Sequence, residues 1–344
     1  MNINEVINDF SSGIYYAKDK LLCYVDKTSN NKRIRCSEFE YQLLKNHSLN
    51  ITRKERKHKR FNFILMIIAL LVALITFFIV DASILYARGL SIDNYIRVRL
   101  MNQVIVTDGS YEVRLALIDA IKRDFPGIRL NESEISILIS ERSNNQFGAA
   151  YLTSLFAGDL ILLYQNTIDY KAHEIIHHLS NSGVYVGWKN RFSTRGRAMN
   201  EGMTEFLKVK YIPETRVVYR EKFYINALIN IFGEERMIRS FFSGNANEIE
   251  SLLNTYSNGF DLIRIMDEDH IRYNNTDRIE EYIIQIFLSY LQSNQGEIAD
   301  FNTYVDTFID SMTLNHSKER SERLQTRIVT GVLAINGDFR QNRI

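Results

Sequence analysis

The sequence predicts an α+β chain: one membrane-spanning helix, a small sheet, two functionally paired helices and a mainly helical C-terminal lobe. Three observations predict it. Residues 61–80 form an unbroken apolar run whose only polar members are Asn62 and Thr76. Between residues 134 and 164 lie short β-branched or apolar runs of strand length. From residue 217 onward, apolar side chains recur with the 3.6-residue period of amphipathic helices.

The apolar run has the length of a bilayer crossing, since about 20 residues at a rise of ~1.5 Å match a hydrocarbon core of ~30 Å. Its flanks predict an orientation. Arg53, Lys54, Arg56, Lys57, Lys59 and Arg60 precede it, opposed only by Glu55, whereas Asp81 and Arg88 follow it. Positive flanks stay on the cytoplasmic side, so the N-terminus is expected in the cytoplasm and residues 81–344 outside it. A cleaved leader would need a charged region far longer than leaders have, so the run reads as an uncleaved single-pass anchor in the cell membrane. The basic cluster directly against the span reads as a topology signal and as a contact for anionic lipid.

The domain layout follows from this span: a small cytoplasmic segment (1–60), the span (61–80), a juxtamembrane linker (81–109) and an extracytoplasmic domain (110–344). In the first segment, Tyr15 to Ile34 reads as a strand pair around Asn30-Asn31, and Ser37 to Lys45 as a helix. The phrase Arg33 to Glu40 faintly resembles the opening of a winged-helix DNA binder, but no room is left for a recognition helix. A net charge of +1 over 344 residues also gives no global field for nucleic acid. Cys23 and Cys36 both precede the span, so they read as reduced thiols, and no disulfide framework supports the main domain. With only Pro126 and Pro213 to break them, long helices are expected.

Beyond the span, Ser110 is placed to cap a helix from Tyr111 to about Asp124, with Val113, Leu117, Ile121 and Phe125 as its apolar stripe. Pro126-Gly127 ends it. Strands are expected at 134–140, 148–152 and 160–164. The next helix, 168–179, ends at Asn181-Ser182-Gly183 and buries one side through Ile168, Ala172, Ile175, Ile176 and Leu179. A looser stretch with Trp188 leads to a second helix at 198–209. Helices are then expected at 217–231, 234–242, 277–293, 299–312 and 317–334.

The first of the paired helices carries His173-Glu174-Ile175-Ile176-His177, an H-E-x-x-H motif. Histidines four apart share one helical face, so both imidazoles reach one metal ion, with the Glu174 carboxylate beside them. The second carries Asn200-Glu201-Gly202-Met203-Thr204-Glu205. Glu201 offers a third ligand and leaves one position open for water, the mark of a catalytic rather than a structural zinc site.

These two motifs resemble those of the gluzincin group of zinc metallopeptidases, over roughly residues 130–260 in order and about a dozen in motif. The metzincin continuation is absent, because Ser180 and Gly183 stand where Gly and His are needed. The resemblance implies a zincin-type fold in which His173, His177 and Glu201 bind one Zn²⁺ and Glu174 is the general base. It further implies that Glu205 hydrogen-bonds a ligand histidine and that a downstream Tyr or His stabilises the oxyanion. Tyr224 is the first candidate and Tyr219 the second. His178 points off the metal face and reads as a surface residue, and His270 as a solvated loop residue. Strand 148–152, with its small residues, is a candidate for holding an extended peptide, and a plain core strand is the other reading.

The expected function is therefore hydrolysis of peptide or protein substrates outside the cytoplasm by a membrane-anchored zinc endopeptidase. Three alternatives stay open: an aminopeptidase, a non-peptidase zinc hydrolase, and a catalytically silent cell-surface or secretion-associated binding protein that kept the fold. The disulfide-free exterior and the Asn, Ile and Lys bias point to a bacterium without an outer membrane. Expected partners are the substrate and the lipid bilayer, with no nucleic acid.

Overall fold

The structure is a computed structural model of the chain. It describes strands Gly13–Tyr15, Leu22–Asp26 and Lys32–Cys36, the helix Glu38–Ala87 (side chains from residue 62) and residues 88–337. Excepted from the last stretch are 142–147, 154–157, 192, 214–218, 258, 273–275 and 315. The expectations for the side chains of Cys23 and Cys36, and for a helix beginning at 217, lie outside the described residues.

The chain divides into two units, residues 1–83 and 84–344. In the first, β1 (Gly13–Tyr15), β2 (Leu22–Asp26) and β3 (Lys32–Cys36) form an antiparallel sheet in chain order, so the expected strand pair is a three-stranded meander. Helix α1 (Glu38–Ala87) is the next described element. Its stretch Asn62–Ala87 is apolar and long enough to cross a bilayer; its most apolar part is not buried within the protein, whereas Leu85, near its end, is. The apolar length extends beyond the residue-80 limit read from the sequence, because Ile84, Leu85 and Tyr86 continue it past Asp81.

The second unit is a mostly helical α+β domain around one hydrophobic core. The stretch read as a linker contributes Leu90, Tyr95 and Val98 to its interior, through the short helix α2 (Ile92–Tyr95) and a continuing π turn, Ile96–Leu100. Helix α3 (Ser110–Asp124) follows, with Leu117, Ile121 and Phe125 buried as expected. Its cap differs by one residue. Gly109, in the left-handed region at φ 72°, turns the chain in, and the Ser110 hydroxyl instead pairs with Thr107 Oγ1 at 2.8 Å.

Strands β4 (Ser136–Ile139), β5 (Ala149–Leu152) and β6 (Leu160–Leu163) form a sheet of order β4-β6-β5. β6 runs parallel to β4 in register Ser136↔Leu160 and antiparallel to β5 in register Ala149↔Leu163. All four residues of β6, Leu-Ile-Leu-Leu, are fully buried, as a central strand covered on both faces requires. β5 lies at the sheet's edge, partly exposed throughout.

Helix α4 (Ile168–Leu179) has the bounds expected from its sequence. It is buried more completely than a one-sided stripe implies. Lys171 through Leu179 are all buried, while Ile168 is 42% exposed. The reason is tertiary: the sheet, α3 and α5 (Arg197–Tyr211) all pack on the helix. Between α4 and α5 the chain makes a hairpin of β7 (Tyr185–Val186) and β8 (Lys189–Asn190), which the sequence reading treated as loose.

Seven further helices form the lobe: α6 (Glu221–Phe232), α7 (Glu234–Ser243), α8 (Ala246–Tyr256), α9 (Gly259–Arg272), α10 (Thr276–Asn294), α11 (Phe301–Thr313) and α12 (Lys318–Ile335). Five match the expected segments, and α8 and α9 were not anticipated. Their core is apolar and aromatic, with Phe287 stacked on Phe308 at 3.6 Å between ring centroids. The lobe positions the site at one contact above all. A Cβ on Gly202 of α5 would lie 2.7 Å from both the Glu221 carbonyl oxygen and Ile225 Cγ1 of α6. Glycine in the motif therefore lets α6 press against α5 one residue beyond Glu201.

Candidate metal centre

Helices α4 and α5 each present one face to the other, and the motif residues meet between them. Three atoms converge there: His173 Nε2 and Glu201 Oε2 are 3.0 Å apart, His177 Nε2 and Glu201 Oε2 3.3 Å, and the two Nε2 atoms 3.1 Å. Among the described residues, His173, His177 and Glu201 are the group able to hold a metal ion. The spacing suits one. Donors bound at ~2.0–2.1 Å around a tetrahedral ion stand ~3.3 Å from one another. The chemistry of the set agrees, with two imidazole nitrogens and a carboxylate oxygen all buried or nearly so.

Each ring is aimed by the atom it turns away from the centre. His173 Nδ1 donates to Glu205 Oε2 at 3.2 Å, which leaves Nε2 as the inward lone pair. His177 Nδ1, protonated in the same tautomer, donates to Thr204 Oγ1 at 3.3 Å, and the Asn200 amide nitrogen, itself a donor, packs against it at 3.1 Å without sharing a hydrogen bond. Asn200 is itself fixed, its Oδ1 accepting from the Trp188 backbone N–H at 3.2 Å. The β7–β8 hairpin thus reaches His177 through one amide. Gly187, at φ 55°, makes this possible, since a Cβ there would fall 2.1 Å from Asn200 Oδ1.

The electrostatics are those of a cation site. Burial would push the His173 imidazole down, yet the Glu201 and Glu205 carboxylates hold it up at about 10. Burial would raise Glu201, but the two histidines hold it well below the usual carboxylate range. Glu205, against the same burial, is lowered by His173 and by Lys208. Lys208 Nζ stands 2.8 Å from Glu205 Oε1, with 2% of its side chain exposed. Excess negative charge thus gathers at the paired rings, where a divalent ion would balance it.

Glu174 differs from its neighbours. Burial raises its carboxyl above the usual value, with Glu201 adding to the rise, while His173, His177 and the Tyr151 backbone N–H draw it down. That N–H belongs to edge strand β5, so the strand and the carboxylate are within hydrogen-bond reach. The Tyr151 ring stacks on His177 at 6.4 Å, and its hydroxyl donates to Asp159 Oδ2 at 2.6 Å. Asn181, just past the end of α4, donates to the Tyr151 hydroxyl at 2.8 Å, which locks β5 to that helix end.

The two tyrosine candidates are separated by the structure. Tyr219 stands edge-on to His173, 5.1 Å between ring centroids. Burial, and then the charges of Glu201, Glu174 and Glu205, hold its phenol above the ordinary value, so it stays a donor. Tyr224 is buried on α6, and its phenol is pushed up to about 12 by burial, with Thr276, Arg220 and Asp269 as its polar surroundings rather than the metal group. Five residues along a helix turn a side chain well away from its starting direction, and α6 begins only at Glu221, after Tyr219.

Two expectations about other histidines are corrected. His178 is not a surface residue: it is 2% exposed, and its Nε2 donates to the Ser133 carbonyl at 2.8 Å. His270 is not in a loop but in the last turn of α9, with Nδ1 2.8 Å from Glu221 Oε1. The same helix supplies a residue that sequence reasoning missed. Asp267 accepts from the backbone N–H groups of Gly196 (2.7 Å) and Ala198 (2.9 Å), capping the start of α5. A cap about 70 positions distant leaves no local signal in the sequence. Thr204 and Lys208, by contrast, follow Glu201 at helical spacings of three and seven, so their side of α5 was readable.

No protein-family model, curated protein or solved structure matches this chain.

Proposed function

We propose that the chain is a zinc-dependent peptidase of the gluzincin type, anchored by residues 62–87 and working outside the cytoplasm. One observation carries the reading: His173, His177 and Glu201 converge at 3.0–3.3 Å with Glu174 buried beside them. These three residues would hold the ion, which when bound supplies an acidified water and a polarised substrate carbonyl.

The chain's own residues do the rest. Glu174 accepts a proton from the attacking water at its carboxylate oxygen and passes it to the leaving amide nitrogen. Its raised pKa favours both halves of that task, since a stronger base takes the proton more readily and holds it for delivery. Tyr219 donates its phenolic hydrogen toward the oxygen on which charge develops. Among the described residues β5 is paired on one side only, which leaves the other side for an extended peptide, and the Tyr151 N–H ties that strand to Glu174. Burial of the paired rings keeps bulk water from competing.

The test is metal content and hydrolysis of quenched peptides by the full chain in detergent, beside Glu201→Ala and Glu174→Gln. One zinc per chain is expected, lost in Glu201→Ala and kept in Glu174→Gln without turnover. Internal cleavage of end-blocked peptides is expected for an endopeptidase. A folded protein that binds zinc but cleaves nothing would replace this reading with that of a silent binding module.

A further inference from the structure

The stretch that follows the span presents an apolar face that no described residue of the domain covers. Along residues 92–100, Tyr95 and Val98 turn inward and are buried. Ile92 (67% exposed), Ile96 (40%) and Leu100 (56%) recur at intervals of four on another face, and Met101 (59%) extends it. Asp93 and Arg97 border this face as exposed charges. The backbone is pinned to the domain, with the Gly89 carbonyl accepting from Glu141 N–H at 2.8 Å and the Arg99 guanidinium donating to the Gly158 carbonyl at 2.6 Å. The face therefore cannot turn inward to hide.

Its place in the chain says what covers it. The apolar helix ends at Ala87, and the five residues to Ile92 can span at most ~18 Å. If the helix crosses a bilayer, Ile92–Met101 must lie within reach of the headgroup layer from which the chain emerges. A second protein would have to compete there with lipid already held at that distance. Arg88 and Arg97 flank the face and suit lipid phosphates.

We propose that Ile92, Ile96, Leu100 and Met101 lie in the outer interface of the bilayer, as an in-plane foot that seats the metal-bearing domain on the membrane surface. This rests on the anchored reading above. The domain would then face substrates at the membrane rather than sample the full reach of a flexible tether.

The test places a tryptophan in the full chain reconstituted in phosphatidylcholine–phosphatidylglycerol vesicles, with lipids brominated either near the headgroup end of their chains, to read the interface, or near the middle, to read the span. Trp188, the chain's single native tryptophan and 2% exposed, gives the baseline in the unsubstituted protein. Ile96→Trp and Leu100→Trp are expected to lose several times the fraction of emission that Trp188 loses, because interfacial side chains sit ~5–10 Å into the headgroup–acyl boundary. Leu314→Trp, more exposed than either but in the helical lobe, is expected to lose none. Leu70→Trp, inside the apolar helix, reports the span itself. Quenching at Leu70→Trp without quenching at either foot position overturns the foot and leaves the anchor standing. Equal quenching at Leu314→Trp also overturns it, because the contact would then be unspecific. No quenching at Leu70→Trp refutes the anchor, and the foot with it.

Discussion

Replacing Lys208 by methionine tests whether the charge behind the metal group is structural. Lys208 Nζ sits 2.8 Å from Glu205 Oε1 and 3.8 Å from Asp169 Oδ1, and only 2% of its side chain is exposed. At that separation the attraction to Glu205 is ~6 kcal/mol for an effective dielectric of ~20. Desolvation of both groups offsets much of this, so the pair's net worth is small. Losing one partner is another matter. Glu205, with no exposed side-chain surface, would keep its charge with His173 and the more distant Lys222 to answer it, and stranding a buried ion costs about 3–5 kcal/mol. Methionine matches the lysine stem in length and adds no cavity of note. The assay is urea unfolding of the full chain in detergent, followed by Trp188 emission, which reports the second unit because that ring is buried between the hairpin and Phe241. Glu205→Gln in the same background should restore part of the loss, since the stranded charge is then gone. A loss below ~1 kcal/mol for Lys208→Met, the worth of an exposed pair, would refute the reasoning and mean that water reaches Glu205.

Three other outcomes are expected. Tyr219→Phe should lower kcat by about 100-fold with metal content unchanged, as loss of one oxyanion donor does, while Tyr224→Phe should leave kcat within about threefold; equal effects would place neither hydroxyl at the reaction. Gly187→Ala should cost about 2–3 kcal/mol, from a left-handed residue and a side chain driven into Asn200 and Phe241, and should weaken zinc retention against a chelator because Asn200 no longer supports His177. His178 has its imidazole pKa lowered by burial. The neutral form is therefore favoured on folding, and its contribution is present above the unfolded value of ~6.5 and lost as pH falls through the lower folded value. His178→Gln should accordingly lose less stability than the parent chain when acidified from neutral pH, measured by urea midpoints at each pH.

Local pattern carried much of this protein. The end of the motif helix was set by Asn181-Ser182-Gly183 after it, and the side-chain amide oxygen of Asn181 does accept from Gly183 N–H at 2.8 Å. Histidines four apart and glutamates four apart share helical faces whatever else the chain does, so the composition of the metal group was legible before any fold. The bilayer-length helix was likewise a matter of one uninterrupted run. Lobe helices with a clear apolar period were also visible, but α8 and α9 were hidden, the latter because Asp267-Glu268-Asp269-His270 has the polarity of a loop.

Tertiary structure alone decided how those pieces are aimed. Which tyrosine meets the metal group depends on where α6 begins, and that start is fixed by its packing on Gly202. His178 became a buried donor because the Ser133 carbonyl lies 45 positions away in sequence but 2.8 Å away in space. The cap of α5 comes from Asp267, and the support of His177 passes through Asn200 to a hairpin read as loose. Helical periodicity is a short-range property written in neighbouring residues, whereas these hydrogen bonds join positions whose only relation is the path of the chain between them. Sequence determined which groups could do the chemistry, and packing determined which of them touch.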